Sequence, residues 1–260
     1  MPDIAVPVPA ATILMLRDGP GGLETFMVVR HHQIDFASGA LVFPGGKVDD
    51  GDFTVRDLCD GVDNADDTQV AMMAGAIREA FEECGILLAR ESGSTELVSG
   101  AKLSTLEHYR DPLNNGEVSL RDFLEKESLR LACDKLQHYA HWVTPDMMPK
   151  RFDTHFYLAA APADHLAIHD GHESVDSIWI SPADALAGAD EGTYTIIFPT
   201  RLNVEMLGES SSVDNAMNMA SARNIVSVTP WTEKRDDGVY LCIPAEAGYS
   251  ISEEKMPERQ

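Results

Sequence analysis

The stretch that most restricts the fold is residues 66–85, which read DDTQVAMMAGAIREAFEECG. Asp66, Asp67 or Thr68 can each cap the N-terminus of a helix through a side-chain oxygen. Gly85 stands where a left-handed residue commonly ends a helix. The pattern therefore predicts a helix that starts at one of these three residues and stops before Gly85.

The ionisable residues of this helix lie together on one side. At 100° per residue, Glu79, Glu82 and Glu83 are neighbours, and Arg78 flanks them four residues before Glu82. Like charges at these spacings cost a helix only about 0.2–0.5 kcal/mol per pair, so an acidic face in solvent is one interpretation. The other side is apolar and is predicted to pack against a core through Met73, Ile77, Ala80, Phe81 and Cys84.

A second interpretation comes from an apolar strand that runs into FPGG at residues 43–46. The proline makes a rigid turn, and the two glycines let backbone carbonyls approach a ligand closely. The carbonyl of Gly46 and the carboxylates of Glu79, Glu82 and Glu83 would make an all-oxygen site. Such donors suit Mg²⁺ or Mn²⁺, and a cation would neutralise the clustered carboxylates.

Charge and composition restrict the partners. The chain has 260 residues, and its 44% of hydrophobic residues is typical of a globular protein with a hydrophobic core. Its formal net charge of −23 is less ordinary. Such an acidic surface argues against nucleic acid and anionic membranes. An anionic small molecule stays possible, because salt screens repulsion beyond about 8 Å. Four cysteines without a CxxC pair and a proline-broken, non-basic N-terminus favour a reduced, cytoplasmic protein without a membrane span.

Strand-like and helix-like segments alternate irregularly along the chain, which predicts an α/β fold with a mixed sheet and helices on both faces. ATILMLRDG and LETFMVVR predict a hairpin, and later segments predict two strands, a strand that leads into a helix, and a helix over FPTRLNVEML. We expect a single domain over residues 1–260. Within it we expect a loop insertion at about 49–69, a helical insertion at about 91–140, a flexible connection at GESSSVDN and a frayed C-terminal tail.

The segment Arg78-Glu79-Ala80-Phe81-Glu82-Glu83-Cys84-Gly85-Ile86 resembles the second half of the Nudix hydrolase signature, Gx5Ex7REUxEExGU, in which U is a bulky aliphatic residue. Ala80 is a small substitute for U. Gly46 begins the first half, and Asp52 stands in the position of the early glutamate. Between Asp52 and Arg78 lie 25 residues instead of seven, which leaves a role for Asp52 open.

This long insertion resembles the branch of the family that includes the peroxisomal coenzyme A diphosphatases. FASGALVFPGGKVD, RFDTHFYLAAAP, HESVDSIWISPADAL and FPTRLNVEML extend the likeness to roughly residues 9–250. The resemblance implies a Nudix-type α/β/α sandwich and a small-molecule, nucleotide-linked substrate. Coenzyme A or an acyl-CoA would be hydrolysed to 3′,5′-ADP and the matching 4′-phosphopantetheine. Alternatives are an ADP-ribose or NADH pyrophosphatase and a catalytically silent nucleotide-binding module.

The resemblance also implies roles for residues. Glu79, Glu82, Glu83 and the Gly46 carbonyl would hold Mg²⁺ or Mn²⁺, and Arg78 would orient a neighbouring carboxylate. The general base could be Glu79, Glu83 or a carboxylate elsewhere, for which Glu173 is the candidate and Asp176 the weaker alternative. A solvent-exposed loop glutamate is the other interpretation of Glu173.

Two further groups of residues have a functional interpretation and an ordinary structural one. HLAIHDGHE brings His165, His169 and His172 near one another, which could indicate a zinc site, but Asp170 and Gly171 interrupt the helical spacing and favour a loop in solvent. A ribose phosphate would need cationic side chains. The candidates, each of which could equally be an ordinary surface charge, are Arg30, Lys47, Lys150 and Arg151.

Overall fold

A computed structural model describes residues 4–30, 40–165 and 174–256. Its helices, in chain order, are α1 (Asp67–Cys84), α2 (Gly100–Leu106), α3 (Arg110–Asn114), α4 (Leu120–Lys126), α5 (Pro182–Asp190), α6 (Phe198–Leu207) and α7 (Val213–Ala222). Its strands are β1 (Val8–Gly19), β2 (Gly22–Arg30), β3 (Leu41–Val42), β4 (Gly45–Lys47), β5 (Cys59–Asp60), β6 (Ala89–Glu91), β7 (Leu129–Ala132), β8 (Gln137–Val143), β9 (Phe152–Ala160), β10 (Ser174–Ile180), β11 (Ser227–Val228), β12 (Trp231–Arg235), β13 (Gly238–Cys242) and β14 (Glu253–Lys255).

The largest sheet is mixed and has the strand order β10-β2-β1-β9-β8-β11, with β3 paired to β2 and β4 paired to β1. The predicted hairpin is confirmed, since β1 and β2 are antiparallel from Leu16–Thr25 to Gly19–Gly22. β1 is the longest strand and pairs with three others: it is parallel to β9 and antiparallel to β2 and β4. The glycines of β4 are thus fixed against the middle of the sheet.

Alternation along β1 divides the core into two layers. Ile13 and Met15 belong to the cluster that includes α1, whereas Leu14 and Leu16 belong to the cluster that includes α6 and α7. Because successive side chains of a strand point to opposite faces, helices cover both sides of the sheet. The predicted α/β/α sandwich around a mixed sheet is confirmed.

Helix α1 has the predicted ends. Asp66 is the N-cap: its side chain accepts the Gln69 N–H at 2.8 Å, and the Gln69 side chain accepts the Asp66 N–H at 3.0 Å. Gly85 ends the helix with φ of 68°, a conformation that costs glycine little. Aromatic stacking between Phe81 and Phe123, with ring centroids 5.5 Å apart, ties α1 to α4.

The structure differs from several predicted segments. The last part of the 91–140 insertion is not helical: Ser128 has φ of 54°, after which the chain enters β7 and then β8, an inner strand of the large sheet. The connection at GESSSVDN leads directly into α7, capped by Ser212. Within the predicted tail, Glu253–Lys255 form β14, which pairs with β13, and residues 257–260 lie outside the described residues.

The 49–69 segment contains two short 3₁₀ helices, Asp50–Thr54 and Arg56–Leu58, followed by β5. The first of them buries Asp52. Within the described ranges, no helix is both long and apolar enough to cross a membrane. The assignment of residues 1–260 to one domain stays a prediction.

Candidate active site

Backbone of the FPGG segment meets the carboxylates of α1 directly. The Gly45 N–H donates to Glu83 Oε2 at 3.0 Å. A Cβ atom at Gly46 would lie only 2.4–2.7 Å from the carboxylate atoms of Glu79, closer than real Cβ contacts. Gly45 has φ of 156°, and a Cβ there would lie 2.4 Å from the Ala11 carbonyl oxygen. Gly45 therefore requires glycine, because a side chain would push β4 away from the backbone of β1, whereas a side chain at Gly46 would displace the Glu79 carboxylate.

The three glutamates of α1 are covered by the protein. Glu82 is 3% exposed, Glu83 is 7% exposed, and the Glu79 side chain is 13% exposed. A helix face in solvent would leave these side chains largely hydrated, so the interpretation of an acidic solvated face is wrong. Ionised carboxylates at such depth require compensating charge.

Arg78 supplies part of that charge. Its guanidinium donates to Glu79 Oε1 at 2.9 Å, to Glu82 Oε2 at 2.9 Å and to the Lys47 carbonyl at 2.9 Å. Burial alone would lower the pKa of Arg78, but Glu79, Asp52 and Glu82 hold it above its ordinary value. The Arg78 side chain thus links α1 to the end of β4 through its hydrogen bond to the Lys47 carbonyl.

Asp52 also belongs to this cluster. Its carboxylate accepts Arg78 Nε at 3.0 Å and Nη2 at 3.1 Å, and its Oδ2 accepts the Asp49 N–H at 2.9 Å. A Cβ at Gly75 would lie 3.0 Å from Oδ2, so that glycine of α1 leaves room for the carboxylate. Burial raises the pKa of Asp52, while its bonds to Arg78 oppose the rise. The 25-residue separation hid this contact from sequence reasoning, although the position of Asp52 in the signature pointed to it.

The negative charge of Glu82 is incompletely compensated by the surrounding protein. Only its Oε2 receives a bond from Arg78, and its buried Oε1 has no hydrogen-bond partner among the residues that the structure describes. Burial and, more weakly, the charge of Glu79 raise the pKa of Glu82 to about 8, despite the opposing effect of Arg78. A divalent cation would supply the missing charge, and an all-oxygen donor set suits Mg²⁺ or Mn²⁺. The residues present therefore fit such an ion.

Several other predicted candidates have other hydrogen-bond partners or lie outside the described residues. Glu173, His169 and His172 are not described, nor is the side chain of Arg30. Asp176 is exposed on β10, and its carboxylate accepts the Ser177 N–H at 2.8 Å. His165 is buried, and its Nε2 lies 2.8 Å from the Val98 carbonyl, which only a donating N–H can satisfy.

The remaining cationic candidates differ in their surroundings. Arg151 is buried and bonds the Thr144 and Ala5 carbonyls at 2.9 Å each, so it joins chain segments. Lys47 is exposed beside the glycines, and Lys150 is exposed before β9. Of these candidates, Lys47 is the one that directly follows Gly46 in the chain.

A sequence profile of the NUDT19 Nudix domain matches residues 55–203, more than half of the chain. The chain belongs to the Nudix hydrolase family. The match begins after Gly46 and Asp52 and includes all of α1. As a Nudix hydrolase, the protein is an enzyme, and members of this family generally use divalent metal ions.

Known Nudix proteins resemble this hydrolase over most of its length. Acyl-coenzyme A diphosphatase NUDT19 of Gallus gallus is 26% identical, with 89% of this chain and 74% of that protein covered. The Xenopus laevis protein of the same name is 21% identical, covering 91% and 74%. The crystal structure of a NUDIX hydrolase from Alicyclobacillus acidocaldarius is 26% identical and has a TM-score of 0.67, covering 83% of this chain and 97% of that one.

Proposed function

We propose that this Nudix hydrolase cleaves the diphosphate linkage of coenzyme A or an acyl-CoA, releasing 3′,5′-ADP and 4′-phosphopantetheine or its acylated form. The observation that carries the chemistry is the buried carboxylate cluster against Gly45 and Gly46, in which Glu82 Oε1 faces no donor among the described residues. The names of the two diphosphatase relatives support the choice of substrate. The cytoplasm is the proposed location, in keeping with the four buried cysteines.

In this proposal Glu79, Glu82, Glu83 and the Gly46 carbonyl hold Mg²⁺ or Mn²⁺. When bound, such an ion screens the phosphate oxygens, acidifies water and stabilises the leaving oxygen. Arg78 acts as a positioning residue, since its guanidinium holds Glu79 and Glu82 at 2.9 Å each.

Proton removal from the attacking water needs a carboxylate in its ionised form. Glu82 is poorly suited, because it is the most deeply buried of the three glutamates and its Oε2 is bonded to Arg78. Glu79 is the most exposed of the three glutamates, so it can meet a water molecule from the substrate side. Glu83 and the more distant Glu173 remain the other candidates for the base.

ADP-ribose or NADH is the second candidate substrate, because the same cluster would act on any diphosphate that joins two organic groups. A silent nucleotide-binding module is a less favoured alternative, since this chain has all three signature glutamates. Distinguishing these functions requires an assay that identifies reaction products as well as one that measures nucleotide binding.

The test offers the purified chain CoA, an acyl-CoA, ADP-ribose, NADH and a nucleoside triphosphate with Mg²⁺, and identifies products by mass. We expect 3′,5′-ADP from CoA or the acyl-CoA, and a loss of about 100-fold or more in kcat/KM for Glu83→Gln. Glu96→Gln, which changes an exposed glutamate in the loop after β6, serves as the control. Turnover of ADP-ribose or NADH alone would refute the CoA assignment, and thermal stabilisation by nucleotide without turnover of any substrate would refute hydrolysis.

A further inference from the structure

A second group of ionisable side chains lies on the neighbouring strands β8 and β9. His141 Nε2 lies 2.5 Å from Asp153 Oδ1, and His155 Nε2 lies 4.0 Å from the same oxygen. One ligand atom from each of the three residues lies within 4.8 Å of the other two. All three side chains are partly exposed, at 21%, 38% and 21%, so ions from solvent can reach them.

Strand register produces this grouping. His141 is directly opposite His155, and Val143 is opposite Asp153. Asp153 and His155 are two residues apart on β9, so their side chains share one face. The rings of His141 and His155 stack with centroids 4.1 Å apart, which keeps both imidazoles beside the Asp153 carboxylate.

A fourth residue orients one of the rings. A shift in register between His138 and Ala140 lets His138 reach the same face, and its Nε2 lies 3.1 Å from His155 Nδ1. If His155 donates its Nδ1 proton in this bond, its Nε2 keeps a lone pair directed to Asp153 and His141. Such an outer hydrogen bond commonly fixes the ring of a histidine that binds metal.

We propose that His141, Asp153 and His155 form a binding site for a divalent transition metal of the Zn²⁺ class, separate from the glutamate cluster. Two imidazole nitrogens and one carboxylate oxygen suit Zn²⁺, whereas the oxygen donors of α1 suit Mg²⁺. Ligand atoms of a tetrahedral zinc site lie about 3.3 Å apart. Around the ion, His155 therefore needs to approach Asp153 from 4.0 Å, whereas His141 and Asp153 need to separate from 2.5 Å. Three protein ligands leave a coordination position for water or a substrate atom.

The location of the histidine site relative to the glutamate cluster suggests that its open coordination position could meet a substrate atom. Gly46 pairs with Ala11, Ala11 with His155, and His155 with His141, which makes one row across four strands. Paired residues point to the same face, and Glu79 occupies the space over Gly46 on that face. Two strand spacings separate Gly46 from His155, which is about 10 Å. A substrate that extends along this row from the glutamates would reach the histidine site.

The test uses Co²⁺ as a spectroscopic probe of the full chain, with millimolar Mg²⁺ present to occupy the glutamate cluster. We expect one equivalent of Co²⁺ to give a visible ligand-field band that Zn²⁺ removes. Glu82→Gln should keep the band, because it leaves the histidine site unchanged. His155→Ala and Asp153→Asn should each weaken Co²⁺ binding at least about tenfold.

His108→Ala is the matched control, since His108 is an exposed histidine of the insertion and lies outside the proposed site. The partly exposed Asp153 side chain makes Asp153→Asn the variant that decides the outcome if His155→Ala fails to fold, as judged by circular dichroism. Absence of any band, a band that survives Asp153→Asn, or a band that only Glu82→Gln removes would overturn the site. None of these results depends on whether the chain hydrolyses CoA.

Discussion

In the metal-free protein, the free energy of unfolding should fall as the pH rises, and replacement of Glu82 by glutamine should remove much of that loss. Burial raises the pKa of Glu82 from an ordinary 4.5 to about 8. Between these values the folded state binds more protons at this site than the unfolded state does, so the free energy of unfolding falls as pH rises. The raised pKa of Asp52 acts in the same direction.

The magnitude follows from the width of that pH window. From pH 5 to pH 8, a carboxyl group whose pKa moves from 4.5 to about 8 lowers the free energy of unfolding by up to roughly 3–4 kcal/mol. Glutamine keeps an acceptor for the 2.9 Å bond from Arg78 and removes the ionisation. Between pH 5 and pH 8, the free energy of unfolding of Glu82→Gln should therefore rise relative to that of wild type by up to this amount.

Urea unfolding in EDTA at a series of pH values measures this difference, because contributions of unrelated groups cancel between the two proteins. Glu96→Gln, an exposed change, should run parallel to wild type. Mg²⁺ should stabilise wild type at pH 8 and stabilise Glu82→Gln less. A constant difference between variant and wild type over the whole pH range would refute the assignment of a buried, charge-deficient Glu82.

Two other substitutions test the geometry around the cluster. In Gly46→Ala the new Cβ would lie 2.4–2.7 Å from the Glu79 carboxylate, so we expect the Mg²⁺ affinity measured by calorimetry to fall about 10–100-fold. Gly51→Ala is the control, because a Cβ at Gly51 meets nothing within 4 Å. Equal Mg²⁺ affinities in the two variants would contradict the close approach of Gly46 to Glu79. Arg78→Lys cannot keep the paired bonds to Asp52 at 3.0 and 3.1 Å, so we expect the free energy of unfolding to fall by about 3–5 kcal/mol. A loss below about 1 kcal/mol in denaturant titrations would show that the Arg78–Asp52 pair does not stabilise the fold.

Local sequence signals predicted α1 and its neighbours well. Asp66 and Gly85 mark helix ends through interactions within a few residues, which sequence spacing alone reveals. The hairpin of β1 and β2 and the helix α6 also follow from short patterns. The signature spacing brought Gly46 and the three glutamates into one hypothesis, and the structure places Glu79 beside Gly46 and bonds Glu83 to the Gly45 N–H.

Residues 127–140 show where local pattern failed. Their polar, leucine-containing sequence favoured a helix, yet β7 pairs with β6 through Leu129 and Leu131 and with β5 through Leu131, and β8 enters the large sheet. Strand partners far along the chain decided this outcome, because cross-strand pairing and burial outweigh intrinsic propensity.

By itself the sequence determined the extent of α1, the side of that helix on which its carboxylates gather, and the glycines that can approach them, because each depends on neighbours within one or two turns. Only tertiary structure decided that Glu82 is buried, that Asp52 reaches Arg78 across 25 residues, and that His141, Asp153 and His155 converge. Those contacts depend on strand register and on packing between segments distant in the chain. Register and packing set the distances between charges, and those distances determine which ions the protein can hold.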